Sequence, residues 1–383
     1  MKQLYLIRSL AAIVAGSLLL ASCGGGGGGG APRSPYGTSA QFAEIPGDPE
    51  SCSVARQKSF VRAYIDEVYL WYREVPTVDA SQYTTTSQVD DYFDALTNLP
   101  KDEFSTAIFS GQSAPVQSLV AASQPSPGNL LAAHIVPTPT FPTSSGGRQL
   151  AYVQLRNHQA GAQDELIAAF RAIQAHTPAV QDVILDLRDN TGGFVYVALT
   201  AASMISGPAS NGQLFERFVF NDKRGETSLL YSGKVQFQDA GASTPNPVGT
   251  DLPQLGLSRV FILTNGDTCS ASESIINSLR GVNVTTIRIG ETTCGKPFGF
   301  TEKVNCGYSF FPIEFQGFNA QGFGDYQAGF APACQITDNT RSDPTQRGTA
   351  TDLIYTTAVA YDTAGCPTAA GTGGVQSAGS PIV

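Results

Sequence analysis

Apolar residues along this chain recur at two different periods, and the change from one to the other divides it. In the segment FVRAYIDEVYLWY, residues Phe60, Tyr64, Val68 and Trp71 fall at three- and four-residue steps, lining one face of an amphipathic helix. A second helix is predicted across Ser87–Leu96. The aromatic stripe reads as core. Between Ser105 and Gly147 the chain is rich in Ser, Pro, Ala and Gly, the punctuation of loops and short strands. From Leu150 onward short apolar runs alternate with helical patterns. LAYVQL, DELIAAFRAIQ, DVILDL and VALTAASMI are followed by RVFILT, a helix over 271–280, and TTIRIG. That order predicts an α/β core whose sheets are covered by helices.

The first 22 residues hold only Lys2 and Arg8 as charges, an apolar stretch Leu10–Leu20, and Leu20-Ala21-Ser22-Cys23, which resembles a bacterial lipoprotein signal. The stretch is shorter than the roughly 20 apolar residues that cross a bilayer. Cleavage is expected to leave Cys23 as a lipid-bearing N-terminus. Gly24 beside it, rather than Asp, favours the outer membrane facing the periplasm by resemblance to lipoprotein sorting rules. The glycines 24–30 predict a flexible tether of roughly 15 Å.

The expected organisation is a signal peptide (1–22), a tether (23–47), a helical N-terminal domain (48–104), a connecting region (105–147), a core (148–367) and a disordered Gly/Ser/Ala-rich tail (368–383). The chain carries 23 basic against 32 acidic residues, a net charge of −9, and losing the signal removes basic residues only. Nucleic acid is excluded as a partner, because neutralising phosphates takes a basic face.

Setting Cys23 aside, Cys52, Cys269, Cys294, Cys306, Cys334 and Cys366 form an even set, which predicts disulfides in an exported chain. None of the spacings matches a zinc pattern, and no metal is expected. The pairing stays open: Cys269–Cys294 is one possibility, Cys294–Cys306 or Cys306–Cys334 others.

Three stretches carry candidate chemistry. Asp186-Leu187-Arg188-Asp189-Asn190-Thr191-Gly192-Gly193 follows a strand, and its paired glycines can turn backbone N–H groups toward an anion. GDTCSASESIINSLR follows RVFILT, with Ser270 at the mouth of a helix. Ser270 and Glu273 fit a capping box, which is the plain reading; a nucleophile is the sharper one. GETTCGKPFG places Lys296 between Gly295 and Pro297 in an apolar, aromatic setting. Serine needs a base, and His134, His158 and His176 all fall outside these motifs. A lysine can take the role if burial lowers its pKa. The N–H of Ala271, with one from Gly192 or Gly193, would then hold an oxyanion.

Together these motifs resemble the S41 serine peptidases, the carboxy-terminal or tail-specific processing proteases. Tyr69–Tyr72 and the stretch NCGYSFFPIEFQGFNAQGFGDY are similar to lipoprotein members of that family. The resemblance covers most of 52–356. It implies a crotonase/Clp-protease-like α/β core with a small helical N-terminal domain and a Ser/Lys dyad. The nucleophile maps to Ser270 rather than Ser272, and the base to Lys296. Two departures matter. The region 105–147 is too short for the PDZ domain that many members carry, and Phe300 stands where a glutamine usually orients the lysine.

The resulting expectation is a cell-envelope serine endopeptidase, lipid-anchored through Cys23, that acts on peptides or unfolded proteins through an acyl-enzyme without a cofactor. The alternative is a non-catalytic lipoprotein binding a peptide or apolar ligand on the same fold. Crotonase-like thioester chemistry is disfavoured, since an exported protein would not meet such cofactors. Natural substrate, cleavage specificity and oligomeric state stay open.

Overall fold

The helical patterns near the N-terminus form on the predicted faces in the computed structural model. It describes residues 34–109, 134–239, 241–242, 244–361 and 366, so that the expected signal, Cys23, the glycine run and the tail lie outside the described residues. Helix α1 (Val54–Val68) buries Phe60, Val61, Tyr64 and Ile65. It ends before Trp71, because the chain turns extended at Tyr69 and the Leu70 N–H donates to the Ile313 carbonyl at 2.8 Å. Trp71 instead packs edge-on against Phe298, ring centres 5.1 Å apart. Helix α2 (Val89–Thr97) opens with Asp90 and Asp91, which suit the positive end of the helix dipole.

Both helices pack on a small antiparallel sheet in the order β1 (Thr106–Phe109), β10 (Tyr308–Phe311), β9 (Lys303–Asn305). Phe310 meets Phe60 at 5.8 Å and Phe93 at 5.6 Å between ring centres. Tyr308, Phe298 and Ile313 complete this cluster. The helical region therefore packs directly on strands from the far end of the sequence.

The central sheet is parallel, in the order β12 (Cys334–Gln335), β7 (Thr285–Gly290), β6 (Arg259–Thr264), β3 (Asp182–Asp186), β2 (Leu150–Gln154). Helices α3 (Ala162–Ala175), α4 (Val195–Ser206) and α5 (Ala271–Gly281) cover one face, and α6 (Leu353–Ala360) covers the other. Along β3, Val183 and Leu185 join the first core cluster while Ile184 joins the second, the two-residue period of a strand buried on both sides. This double burial is why β3 and β6 read as unbroken apolar runs. A second antiparallel sheet runs β5 (Glu226–Leu230), β4 (Leu214–Phe220), β11 (Phe315–Phe318), β8 (Phe298–Gly299).

Arg188, two residues past the end of β3, is buried and donates to Asp186 at 2.6 Å and to Asp352 at 2.7 Å. It ties the start of α6 to the loop after β3. Three disulfides form: Cys52–Cys306, Cys269–Cys294 and Cys334–Cys366. The alternatives Cys294–Cys306 and Cys306–Cys334 are thereby overturned. The first bridge joins the entrance of α1 to the β9–β10 turn, an assignment that rests on contacts 254 residues apart in sequence.

Candidate active site

Three neighbouring parallel strands, β3, β6 and β7, end at one edge of the central sheet, and each feeds one of the three motifs. This is where open α/β sheets place their crevice. The loops are stitched together by main-chain bonds. The Cys269 N–H and the Ser272 hydroxyl both donate to the Asn190 carbonyl, at 3.0 and 2.9 Å, and the Cys294 N–H donates to the Thr268 carbonyl at 3.0 Å. The Cys269–Cys294 bridge adds a covalent link beside both Ser270 and the Lys296 loop.

Ser270 is the residue before the first turn of α5 and sits at φ 55°, ψ −116°. Such a conformation costs a non-glycine residue about 1–3 kcal/mol and persists only where the surroundings enforce it. Gly192 supplies part of that enforcement, because a Cβ there would lie 2.7 Å from the Ser270 Cβ and 2.8 Å from the Ala271 nitrogen. Ser270 is half-buried and lines a cavity of ≈ 240 Å³ together with Ala271, Gly193 and Lys296. The capping reading holds for its partner: the Glu273 carboxylate reaches back to the Ser270 N–H at 3.0 Å.

Glu273 does more than cap. It is fully buried and also accepts the N–H of Lys296 (2.7 Å), the N–H of Gly295 (2.9 Å) and the hydroxyl of Thr293 (2.6 Å). Burial raises its pKa, and these donors oppose the rise. One carboxylate thus positions the main chain on both sides of the proposed dyad. The capping-box spacing flagged Glu273, but nothing in the sequence signalled its second set of partners.

Lys296 keeps only partial exposure, onto the cavity. Burial pushes its ammonium down to about 8, against the attraction of Asp102 and Glu273. Its Nζ lies 4.4 Å from the centre of the Phe300 ring and 5.0 Å from that of Phe104. Nζ thus faces the Phe300 ring, and no hydrogen bond joins it to the Ser270 Oγ among the described residues. Catalytic contacts of this kind often tighten only once substrate is bound.

The two candidate glycine donors separate. The Gly192 N–H is already given to Asn190 Oδ1 at 3.0 Å, so it is not the oxyanion donor. Gly193 and Ala271 both line the cavity, and neither N–H has an acceptor among the described residues. His158, set aside in the sequence, lies in the cavity wall. It is fully buried, its Nδ1 is 2.9 Å from Asn190 Oδ1, and its Nε2 has no partner among the described residues. Because Asn190 Oδ1 accepts, Nδ1 carries the proton, and burial pushes the ring down to about 4, keeping it neutral. Glu216, on β4, lines the same cavity and was also missed.

No curated protein matches the sequence. Among solved structures, the fold is similar to that of a protein assigned as an S41 protease from Bacteroides fragilis (TM-score 0.63, 18% identity, 78% of this chain and 96% of that one). It is also similar to a lipoprotein from Streptococcus agalactiae (TM-score 0.53, 11% identity, 77% and 95%). A third likeness is to the photosystem II D1 C-terminal processing protease (TM-score 0.50, 14% identity, 82% and 99%). At the sequence level the model described as Peptidase family S41 matches residues 149–304, and the Peptidase S41 N-terminal domain model matches residues 56–106. The two models follow the division into strand-rich core and helical N-terminal region and together take in more than half of the chain, which therefore belongs to peptidase family S41.

Proposed function

We propose that the protein is a cell-envelope serine endopeptidase in which Ser270 attacks the scissile carbonyl and Lys296 takes and returns the proton. The observation that carries this reading is one cavity holding four parts: a serine in a strained helix-entry turn, a lysine whose pKa burial lowers, and two unspent N–H groups at Ala271 and Gly193. The oxyanion sits between those N–H groups, aided by the positive end of α5. Water then hydrolyses the acyl-enzyme. Substrates are peptides or unfolded proteins, taken without a PDZ-type tail reader. A lipid on Cys23, read from the signal-like N-terminus alone, would hold the enzyme at the outer membrane facing the periplasm.

The test is casein cleavage by residues 31–383 beside Ser270→Ala and Lys296→Ala. Each substitution is expected to cost at least about a thousandfold in kcat/KM, as for other members of a nucleophile–base set. Proteolysis that survives both changes discards the dyad. A second reading, a peptide-binding lipoprotein, is favoured by the contact of Lys296 with Phe300 in place of Ser270. Absence of cleavage by any form supports it.

A further inference from the structure

Strand β4 breaks the alternation of its side chains at Phe215 and Glu216, both of which are buried. The pairing with β5 shifts between Leu214 and Glu216, a β-bulge of the kind that re-aims side chains beside active sites. On β11, Gly317 pairs with Phe218, and any Cβ there would collide with Glu216 Oε1 two residues along β4. Both strands are thus shaped around this carboxyl. Glu216 is only 3% exposed, and its Oε2 has no hydrogen-bond partner among the described residues. Burial raises its pKa to about 7, with the neighbouring Ser274 hydroxyl opposing. A buried polar atom left unpaired costs stability and calls for a reason.

The cavity offers one. Glu216 lines it with Ser270, and Ser274 lies one turn beyond Ser270 on α5, about 6 Å along the helix axis. Phe218, Phe298 and Phe315 form apolar wall around it. The carboxylates acting on Lys296 are Asp102 and Glu273, so Glu216 is not the counter-ion of that lysine.

We propose that this cavity receives the substrate side chain immediately preceding the scissile bond, and that Glu216 selects lysine or arginine there. The inference rests on the peptidase reading above, since the residue whose carbonyl meets Ser270 is the one whose side chain leaves beside it. A long methylene stem packs on the aromatic walls while its cationic head meets the carboxylate, giving the orphan oxygen a charge-assisted partner. Alanine or serine is too short to reach.

The test uses peptides identical except for Lys, Arg, Gln, Leu or Ala at that position. Lys and Arg peptides are expected to show kcat/KM about a hundredfold above Leu or Ala, and Glu216→Gln to bring that ratio below about threefold. A wild-type ranking led by Leu or Ala overturns the proposal, as does a folded Glu216→Gln that loses every peptide in equal proportion. The wild-type ranking stands as a test even if that variant fails to fold. If nothing is cut, the peptidase reading fails by itself, and the pocket is then tested by calorimetry with Ser270→Ala and product peptides ending in Lys or Leu. Tighter binding of the Lys peptide, erased by adding Glu216→Gln, upholds selection by Glu216. Equal affinities, or no binding, overturn it.

Discussion

Ser270 and Lys296 hand their backbone N–H groups to the same oxygen, Oε2 of Glu273, at 3.0 and 2.7 Å. The strand-to-helix turn and the loop after β7 are therefore set relative to each other by a buried carboxylate, independently of any contact between the two side chains.

Replacing that carboxylate tests the arrangement. Glu273→Gln keeps the shape but turns an amide N–H₂ toward groups that are all donors, which is expected to destabilise the fold by about 2 kcal/mol in urea titrations. Because the Glu273 charge holds the Lys296 pKa up, its removal is also expected to shift the pH–rate profile of the surviving activity downward. An unchanged profile would show that the carboxylate has no electrostatic hold on the lysine.

The pH dependence separates the two candidate bases. Lys296 accepts a proton only when neutral, so kcat/KM should rise with pH through about 8 and fall about tenfold per unit below it. His158, already neutral above about 4, would give a flat profile over the same range. Activity that stays level from weakly acidic to alkaline pH would move the base from Lys296 to His158.

The Cys269–Cys294 bridge closes a loop over a sequence separation of 25 residues. Substituting Cys269→Ser with Cys294→Ser is expected to cost about 3.5 kcal/mol of stability by the loop-entropy relation. Because the bridge lies beside Ser270 and two residues before Lys296, dithiothreitol should also slow peptide cleavage by the wild type and leave the double variant unaffected. Equal responses of the two proteins would place the effect of reduction at another disulfide.

Gly192→Ala puts a methyl group 2.7 Å from the Ser270 Cβ and 2.8 Å from the Cys269 carbonyl oxygen, at a φ of 96° that alanine resists. A loss of at least about 2 kcal/mol in stability and of nearly all activity is expected. A fully active, stable Gly192→Ala would show that the serine turn does not depend on this close approach.

What the sequence by itself determined is local. The runs VILDL, RVFILT and TTIRIG became β3, β6 and β7 because strands buried on both faces are continuously apolar, and α5 begins after Ser270 where the turn and capping residues put it. The same locality explains why the motifs single out Ser270 and Lys296 and why the spacing overextends α1: the aromatic stripe runs on to Trp71, but the backbone at Leu70 finds a partner in Ile313. Tertiary structure alone decided the rest. Strand order brought three loops to one sheet edge, and packing gave the Gly192 N–H to Asn190 and left that of Gly193 for the cavity. It also chose the disulfide partners and carried His158 and Glu216 into the cavity wall. These are pairings between residues far apart in the chain. Their free energy comes from groups that meet only after the core has closed, and no spacing along the sequence encodes it.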